Sequence, residues 1–432
     1  MRILYVVHAI PPYEYSGTPV RTAQYARHAV AAGVTAAIAF RRARGSIDPS
    51  RDGVTLLPVQ PATGYPWTLT AFSAPLKDAR WTKTLKSFRP DLVHILDWVG
   101  LPSAMLAAIR SLEVPVVRHV CNMEDLCAYI EPIRYHSEFR ACQPPLSDEQ
   151  CVACLERRGD FRRSRLEHLR EVLSDPHRAF RPSHEADRYA AMVADKRRAF
   201  RLHLSEVYDT LLFPCRSFAD YFLSMVELPD IPVSVIEHGM ALPTKCRLGS
   251  TRRPAEPLHC VFLGPCTSRK GWNHVEQAFG RLLRDYPGRL RLTAYGGQPP
   301  SAGTVLAGLP GVSIRPSFPR EALDDVLDSC HLGLVPSPFE TYCQVCREML
   351  ARGIPVIGST AFGIPDAVRN GENGLLIGSP TAEGMYAAVR TIIETDGLLE
   401  RLAVGARTTH LRTAEEEFAE LLALYERLID SH

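Results

Sequence analysis

The stretch Ser337–Ile357, SPFETYCQVCREMLARGIPVI, carries more of the architecture than any other part of the chain. Glu340 and Glu348 form a Glu-x7-Glu pair, Gly353 closes the helix that holds them, and Pro355 opens an apolar strand. A helix, a glycine stop and a short β-branched strand form the unit from which parallel sheets with helices on both faces are built. Eight residues span about two helical turns, which predicts both carboxylates towards one side of the helix, about 12 Å apart at most. Free amides at that helix start suit a phosphate or a sugar hydroxyl. Taken alone, the pair is also what two solvated surface charges look like.

Outward from this stretch the same unit recurs. Apolar β-rich runs fall at Ile3–Val7, Thr35–Ala39, Leu92–Leu96, Val114–His119, Leu211–Phe213 and Val233–Glu237. A second series comprises His259–Leu263, Arg291–Ala294, Val312–Arg315, Leu332–Pro336, Pro355–Ile357 and Gly374–Ile377. Short runs without alternation, separated by helix-length segments, predict two doubly wound α/β domains facing across a cleft. The boundaries read as a first domain over 1–239, a Pro/Gly/Arg-bearing linker over 240–257, a second domain over 258–413 and a closing helix over 414–432. The apolar face of that helix needs a partner, and the first domain is a candidate.

The chain has 432 residues, 46% of them apolar and 23% charged, which fits two large globular domains. That balance excludes a disordered chain, a coiled coil and a collagenous fibre. Fifty Lys plus Arg stand against 48 Asp plus Glu, a net charge of +2. So small a charge gives no field to hold nucleic acid, and no nucleic-acid partner is expected. In the opening MRILYVVHAIPP, His8 and two prolines interrupt the apolar run, so it reads as a buried strand rather than a signal peptide. No apolar stretch approaches the ~18–20 residues that cross a bilayer. The expectation is a cytoplasmic protein, at most peripheral at the inner face of the membrane.

Several motifs join the Glu-x7-Glu stretch. They are Gly363-Ile364-Pro365-Asp366, Asn370-Gly371-Glu372-Asn373-Gly374, Ser16-Gly17-Thr18, Val235–Met240 (VIEHGM), Leu263–Gly271 (LGPCTSRKG) and Tyr295-Gly296-Gly297. Together they resemble the retaining family 4 glycosyltransferases over nearly the whole chain. The resemblance implies the GT-B fold, two Rossmann-like domains with the nucleotide-sugar donor held by the second. It also implies that Glu348 meets the nucleotide ribose and Glu340 the hydroxyls of the transferred sugar. The backbone of Thr341, Tyr342 and Cys343 would lie against sugar or phosphate, His119 near the donor sugar, and Gly17 and Gly296 beside the ligand.

Lys270 is the cation this chemistry needs, because a departing diphosphate develops negative charge. By itself it is equally a solvated lysine at a helix start, as His119 is equally a structural histidine and Gly17 a turn glycine. The sequence departs from the family where Pro265 stands for the loop arginine, and Arg269 is the candidate replacement. No Asp-x-Asp metal motif occurs. Catalysis is therefore expected to need no cofactor, with His119, Lys270 and Glu340 as the catalytic set.

Region 121–203 breaks the α/β pattern and reads as an insertion in the first domain. Cys127, Cys142, Cys151 and Cys154, with Cys121 as a substitute, are candidate ligands of a structural zinc, the alternative being reduced, buried thiols. Some relatives within the resembled family carry a similar cysteine-bearing insertion. The arginine-rich segment from Arg157 to Arg201 suits either a solvated helical face or an anionic acceptor or membrane surface. The expected function is a retaining transfer from a nucleotide diphosphate sugar to a sugar or lipid-linked acceptor, in polysaccharide or glycoconjugate synthesis. The alternatives are a nucleotide-sugar epimerase on the same fold and a non-catalytic nucleotide-sugar-binding or assembly protein. Tyr13–Thr18, Asp97 and Trp98 are the acceptor-side candidates.

Overall fold

Along β1 (Arg2–Val7), Leu4 and Val6 enter one apolar cluster while Ile3, Tyr5 and Val7 enter another. A strand with no wet face belongs in the middle of a sheet covered on both sides. The computed structural model places it there. It describes residues 1–14, 17–41, 50–59, 79–97, 101, 103–127, 133–134, 140–145, 147–158, 185–243, 257–296 and 305–432. Ser16, Trp98, Gly297, residues 244–256 of the expected linker, and Arg162, Arg163, Arg165, Arg170, Arg178 and Arg181 lie outside the described residues.

The first sheet contains β1, β2 (Thr35–Arg41), β3 (Ser50–Arg51), β4 (Val54–Val59), β5 (Leu92–Ile95), β6 (Val116–His119), β9 (Thr210–Phe213) and β10 (Val233–Val235). Their order is β10-β9-β6-β5-β1-β2-β4-β3, and among the described residues only the β3–β4 edge pair is antiparallel. A separate antiparallel pair joins β7 (Ile133–Arg134) and β8 (Arg140–Ala141) within the insertion. The second sheet runs β13-β12-β11-β14-β15-β16 and is wholly parallel. Its strands are β11 (Leu258–Leu263), β12 (Leu290–Tyr295), β13 (Val312–Arg315), β14 (Leu332–Val335), β15 (Val356–Gly358) and β16 (Gly374–Leu376). Every candidate strand from the sequence overlaps one of these. β4 was not among them, because Pro58 interrupts its apolar run. The proline is tolerated since β3 pairs only with Val54 and Thr55, leaving Pro58 beyond that ladder.

In each sheet the strand order reverses beside the opening strand, between β1 and β5 and between β11 and β14. Crevices for ligands form at the carboxyl ends of strands at such points. The closing helix Ala414–Ser431 packs on the first sheet, its Phe418, Leu421, Leu424 and Tyr425 sharing a cluster with Ile3 and Tyr5. A capping box of Thr413 and Glu416 starts it, and a bridge between Met240 and Thr413 ties its entry to the end of the first domain. Among the described residues no helix is long and apolar enough to cross a membrane.

Candidate active site

A cavity of about 680 Å³ opens between the two sets of strand ends. Its second-domain wall comes from the turn after β11 and the loop after β14. A short turn, Ser268–Lys270, leads into Gly271 and the helix Trp272–Asp285. Gly271 has φ +73°, and a Cβ there would lie 2.0 Å from the carbonyl oxygen of Pro336, so only glycine lets the two loops meet. Their meeting brings Lys270 Nζ to 2.7 Å from Glu340 Oε1, both lining the cavity.

Glu340 is not on a helix. The helix begins at Gln344, preceded by Cys343 in the left-handed region at φ 58°, so the expected two-turn helix joining both carboxylates does not form. The intervening residues are held instead by Arg347, whose buried guanidinium donates to the Tyr342 carbonyl, to Gly363 O at 3.1 Å and to Glu237 Oε1 at 2.9 Å. It also lies 3.6 Å above the Tyr342 ring. Tyr342 OH donates to the His238 carbonyl, and Cys215 Sγ donates to Thr341 O at 3.0 Å. The loop after β14 is thus anchored on the first domain.

Glu348, on the helix, is buried and pairs with Arg320 at 2.8 Å rather than lining the cavity. Thr341, Tyr342 and Cys343 do line it. Arg269 does not, and Pro265 occupies the wall beside Lys270. Gly296, at φ +98°, packs against the Gly264 carbonyl, where a Cβ would lie 2.7 Å from the oxygen. Gly17 opens the helix Gly17–Ala31 on the opposite wall, with nothing within 4 Å of where a Cβ would stand.

The rest of the first-domain wall is Thr18, an acceptor-side candidate, Cys121, named from the sequence only as a substitute zinc ligand, and Arg21 and His238, which were not singled out as site residues. Arg21 lies one turn beyond Gly17, its Nη1 donating to Glu417 Oε2 at 2.8 Å and to Gly239 O at 2.5 Å. Tyr25 OH also donates to Glu417, and His238 Nδ1 lies 2.7 Å from Glu417 Oε1. His119 was expected at the cleft; the structure buries it completely behind this wall, and Cys121 is the cavity residue after β6. The strand's end explains the displacement: β6 stops at His119, and by Cys121 the chain has left the sheet and turned into the cleft. Buried Arg118 fixes that turn, reaching Asp125 Oδ2 at 2.6 Å, Glu124 Oε1 at 2.7 Å and Leu96 O at 2.8 Å. Burial holds the His119 and His238 imidazoles well below the usual histidine range and lifts the Cys121 thiol to about 12.

The expected zinc ligands Cys127, Cys142, Cys151 and Cys154 do not gather into a metal-ligating group. Cys127 and Cys142 pack against the core of the first domain. Cys151 and Cys154 ride on the helix Asp148–Arg158, where Cys151 packs with Leu155, Tyr189 and Val193 and lies 3.6 Å from Arg197 Nη2. The insertion is ordered there by helix packing. At the end of β1, His8 is clamped between Asp97 Oδ2 at 2.7 Å and Glu14 Oε1 at 2.9 Å.

Residues 257–395 match the family model described as Glycosyl transferases group 1, and residues 16–239 match the Glycosyl transferase 4-like domain. A D-inositol 3-phosphate glycosyltransferase of Nocardia farcinica is 32% identical over 247 residues, which cover 54% of this chain and 51% of that protein. The chain therefore spans about half the length of that curated relative. Sucrose-phosphate synthase from Thermosynechococcus elongatus superposes over 100% of both chains with a TM-score of 0.65 at 16% identity. The Anabaena protein HepE in complex with UDP and glucose covers 98% of this chain and 99% of its own, with a TM-score of 0.61 at 12% identity. That likeness shows the fold, GT-B. With both domain models matched in order along one chain, this protein belongs to the family 4 glycosyltransferases.

Proposed function

We propose that the chain transfers a sugar, with retention, from a nucleotide diphosphate sugar to an acceptor hydroxyl. The observation that carries this reading is the Lys270–Glu340 pair, set at 2.7 Å on the wall of a cavity between two Rossmann-like domains. Its cation suits a diphosphate, and its carboxylate suits sugar hydroxyls, since each oxygen accepts more than one donor. In this reading the bond from the sugar's anomeric carbon to the phosphate oxygen breaks, and the diphosphate takes the electron pair beside Lys270. The acceptor oxygen bonds to the same face of the sugar, and its proton passes to the leaving phosphate oxygen. The helix start at Gly17 faces the charge that develops. Lys270 and backbone amides supply positive charge, so this step calls for no metal at the diphosphate. Glu348, held by Arg320, is the proposed ribose contact, and Thr341–Cys343 the backbone contact. The acceptor is proposed to be a sugar or a lipid-linked sugar, in polysaccharide or glycoconjugate synthesis, with any membrane contact peripheral.

Thermal unfolding of the purified chain with UDP, GDP, ADP and CMP and their sugar conjugates, without added metal, tests this. A ligand that binds only the folded state raises its stability with concentration above Kd. One nucleoside diphosphate and its sugar conjugate are expected to raise the Tm, and Lys270→Ala to remove the shift. No shift with any of them would sink the reading.

A further inference from the structure

We infer that His119, Cys121 and His238 form a three-ligand site for a zinc-class divalent ion on the first-domain wall, with a fourth position open to the cavity. One ligating atom from each residue lies within 4.8 Å of the others. Cys121 and His238 line the cavity, and His119 closes the site from behind. Neutral imidazole nitrogens with one thiolate form a set that suits zinc, and three protein ligands leave a place for water or substrate.

Two further observations point to an ion. First, His119 Nε2 is buried with no hydrogen-bond partner among the described residues. Leaving such a buried group unsatisfied is costly, whereas coordination satisfies it. Second, the other nitrogens of both rings are already engaged. His238 Nδ1 lies 2.7 Å from Glu417 Oε1 and 3.1 Å from Tyr25 OH, so Nδ1 carries the proton and Nε2 the lone pair. His119 Nδ1 lies 3.2 Å from His94 Nε2, whose Nδ1 is 2.5 Å from Tyr425 OH. A proton on His119 Nδ1, relayed through His94 to Tyr425, leaves Nε2 as the ligating atom. A carboxylate or a hydrogen-bonded relay behind each histidine is the outer shell that orients metal-binding imidazoles. A tetrahedral ion with Zn–N of ~2.1 Å and Zn–S of ~2.3 Å places its ligands about 3.3–3.6 Å apart. The inference is independent of the transferase reading, because it concerns binding and not turnover.

Cobalt(II) titration of the chelator-treated chain tests it. One equivalent is expected to produce a thiolate-to-cobalt charge-transfer band with tetrahedral d–d absorption, both displaced by zinc. Cys121→Ser should abolish the charge-transfer band, and His238→Gln should weaken cobalt binding about tenfold or more. A Cys151→Ser/Cys154→Ser double variant and a Cys346→Ser variant should each keep both, which excludes as the source the C-x2-C pair and the Cys343–Cys346 pair, whose sulfurs lie 3.1 Å apart. Absence of a thiolate band in the wild-type chain, or its persistence in a folded Cys121→Ser, overturns the proposal. X-ray absorption on the wild-type zinc form is independent of whether the variants fold. It should find nitrogen-class scatterers and one sulfur, and a sulfur-only shell overturns the assignment.

Discussion

On the second-domain wall Lys270 and Glu340 face each other at 2.7 Å beside open cavity, whereas on the first-domain wall Arg21 is sunk among Glu417, Tyr25 and His238. Lys270 is 35% exposed and Glu340 15%, against 6% for Arg21 and 1% for Glu417. Exposure decides what each pair can do. A partly hydrated pair is held by little net energy and can exchange partners when a phosphate or a sugar arrives. A dry pair cannot, because separating it strands a charge where water does not reach. The Arg21–Glu417 pair on the first wall is therefore a fixed scaffold, and the Lys270–Glu340 pair on the second is the one that can exchange partners.

Removing one carboxylate from each pair should separate these roles. Glu417→Ala leaves Arg21 buried without its counter-charge and removes the acceptor for Tyr25, Gly239 and His238. A loss of about 3–5 kcal/mol in urea unfolding is expected. A loss under about 1 kcal/mol would show that Arg21 relaxes into the cavity, and the contrast between the walls would fail. Lys270→Ala should do the reverse. Unfolding should shift by no more than about 1 kcal/mol, while kcat falls about 10²–10³-fold if Lys270 stabilises the departing diphosphate. A variant that unfolds early and turns over normally would place Lys270 in the scaffold instead.

The same contrast explains what could be read from the chain. The second wall is nearly contiguous, with Glu340, Thr341, Tyr342 and Cys343 adjacent and Lys270 beside a glycine, so a motif displays it. The first wall is assembled from the ends of β6 and β10 and the start of one helix, and its counter-charge comes from the C-terminal helix. Nothing local marks Glu417 as the partner of Arg21, 396 positions away. Arg347 was hidden for another reason: inside Glu-x7-Glu it reads as a helix-surface arginine, yet it is buried to hold Tyr342. The strand pattern was legible because burial on both faces writes itself into the residues of the central parallel strands, and β4, broken by Pro58 and buried at alternate positions, escaped it.

His8 extends the scaffold along the carboxyl ends of β1 and β5. Burial disfavours its charged form, but Asp97 and Glu14 outweigh that and raise it to about 9. A histidine raised in the folded state contributes stability that is fully present below its unfolded value of ~6.5, and that contribution is lost as pH rises towards 9. The wild-type chain should lose up to about 3 kcal/mol through this group between those limits. Unfolding free energies measured at pH 6 and pH 9.5 should show that drop, and His8→Gln should lack that share of it. Equal drops in both proteins would mean that Asp97 and Glu14 are satisfied without the imidazolium.

The smallest expected effect lies between the two carboxylates of the Glu-x7-Glu stretch. Glu340 pairs with a cation that shares its cavity, while Glu348 pairs with Arg320, which is 44% exposed. Arg320 takes one oxygen of Glu348 at 2.8 Å, and the proposed ribose contact falls to the other. Its contribution is then to orient the carboxylate rather than to hold the fold. Arg320→Ala should change unfolding by less than about 1 kcal/mol, as exposed pairs do. It should weaken nucleoside diphosphate binding by roughly two- to fivefold, the cost of letting one rotamer-rich side chain move. Calorimetric titration of Arg320→Ala beside Glu348→Ala orders the two: the carboxylate variant must lose more. If Arg320→Ala binds nucleotide more tightly, the arginine competes with the ribose for Glu348, and the second wall holds two exchangeable ion pairs rather than one.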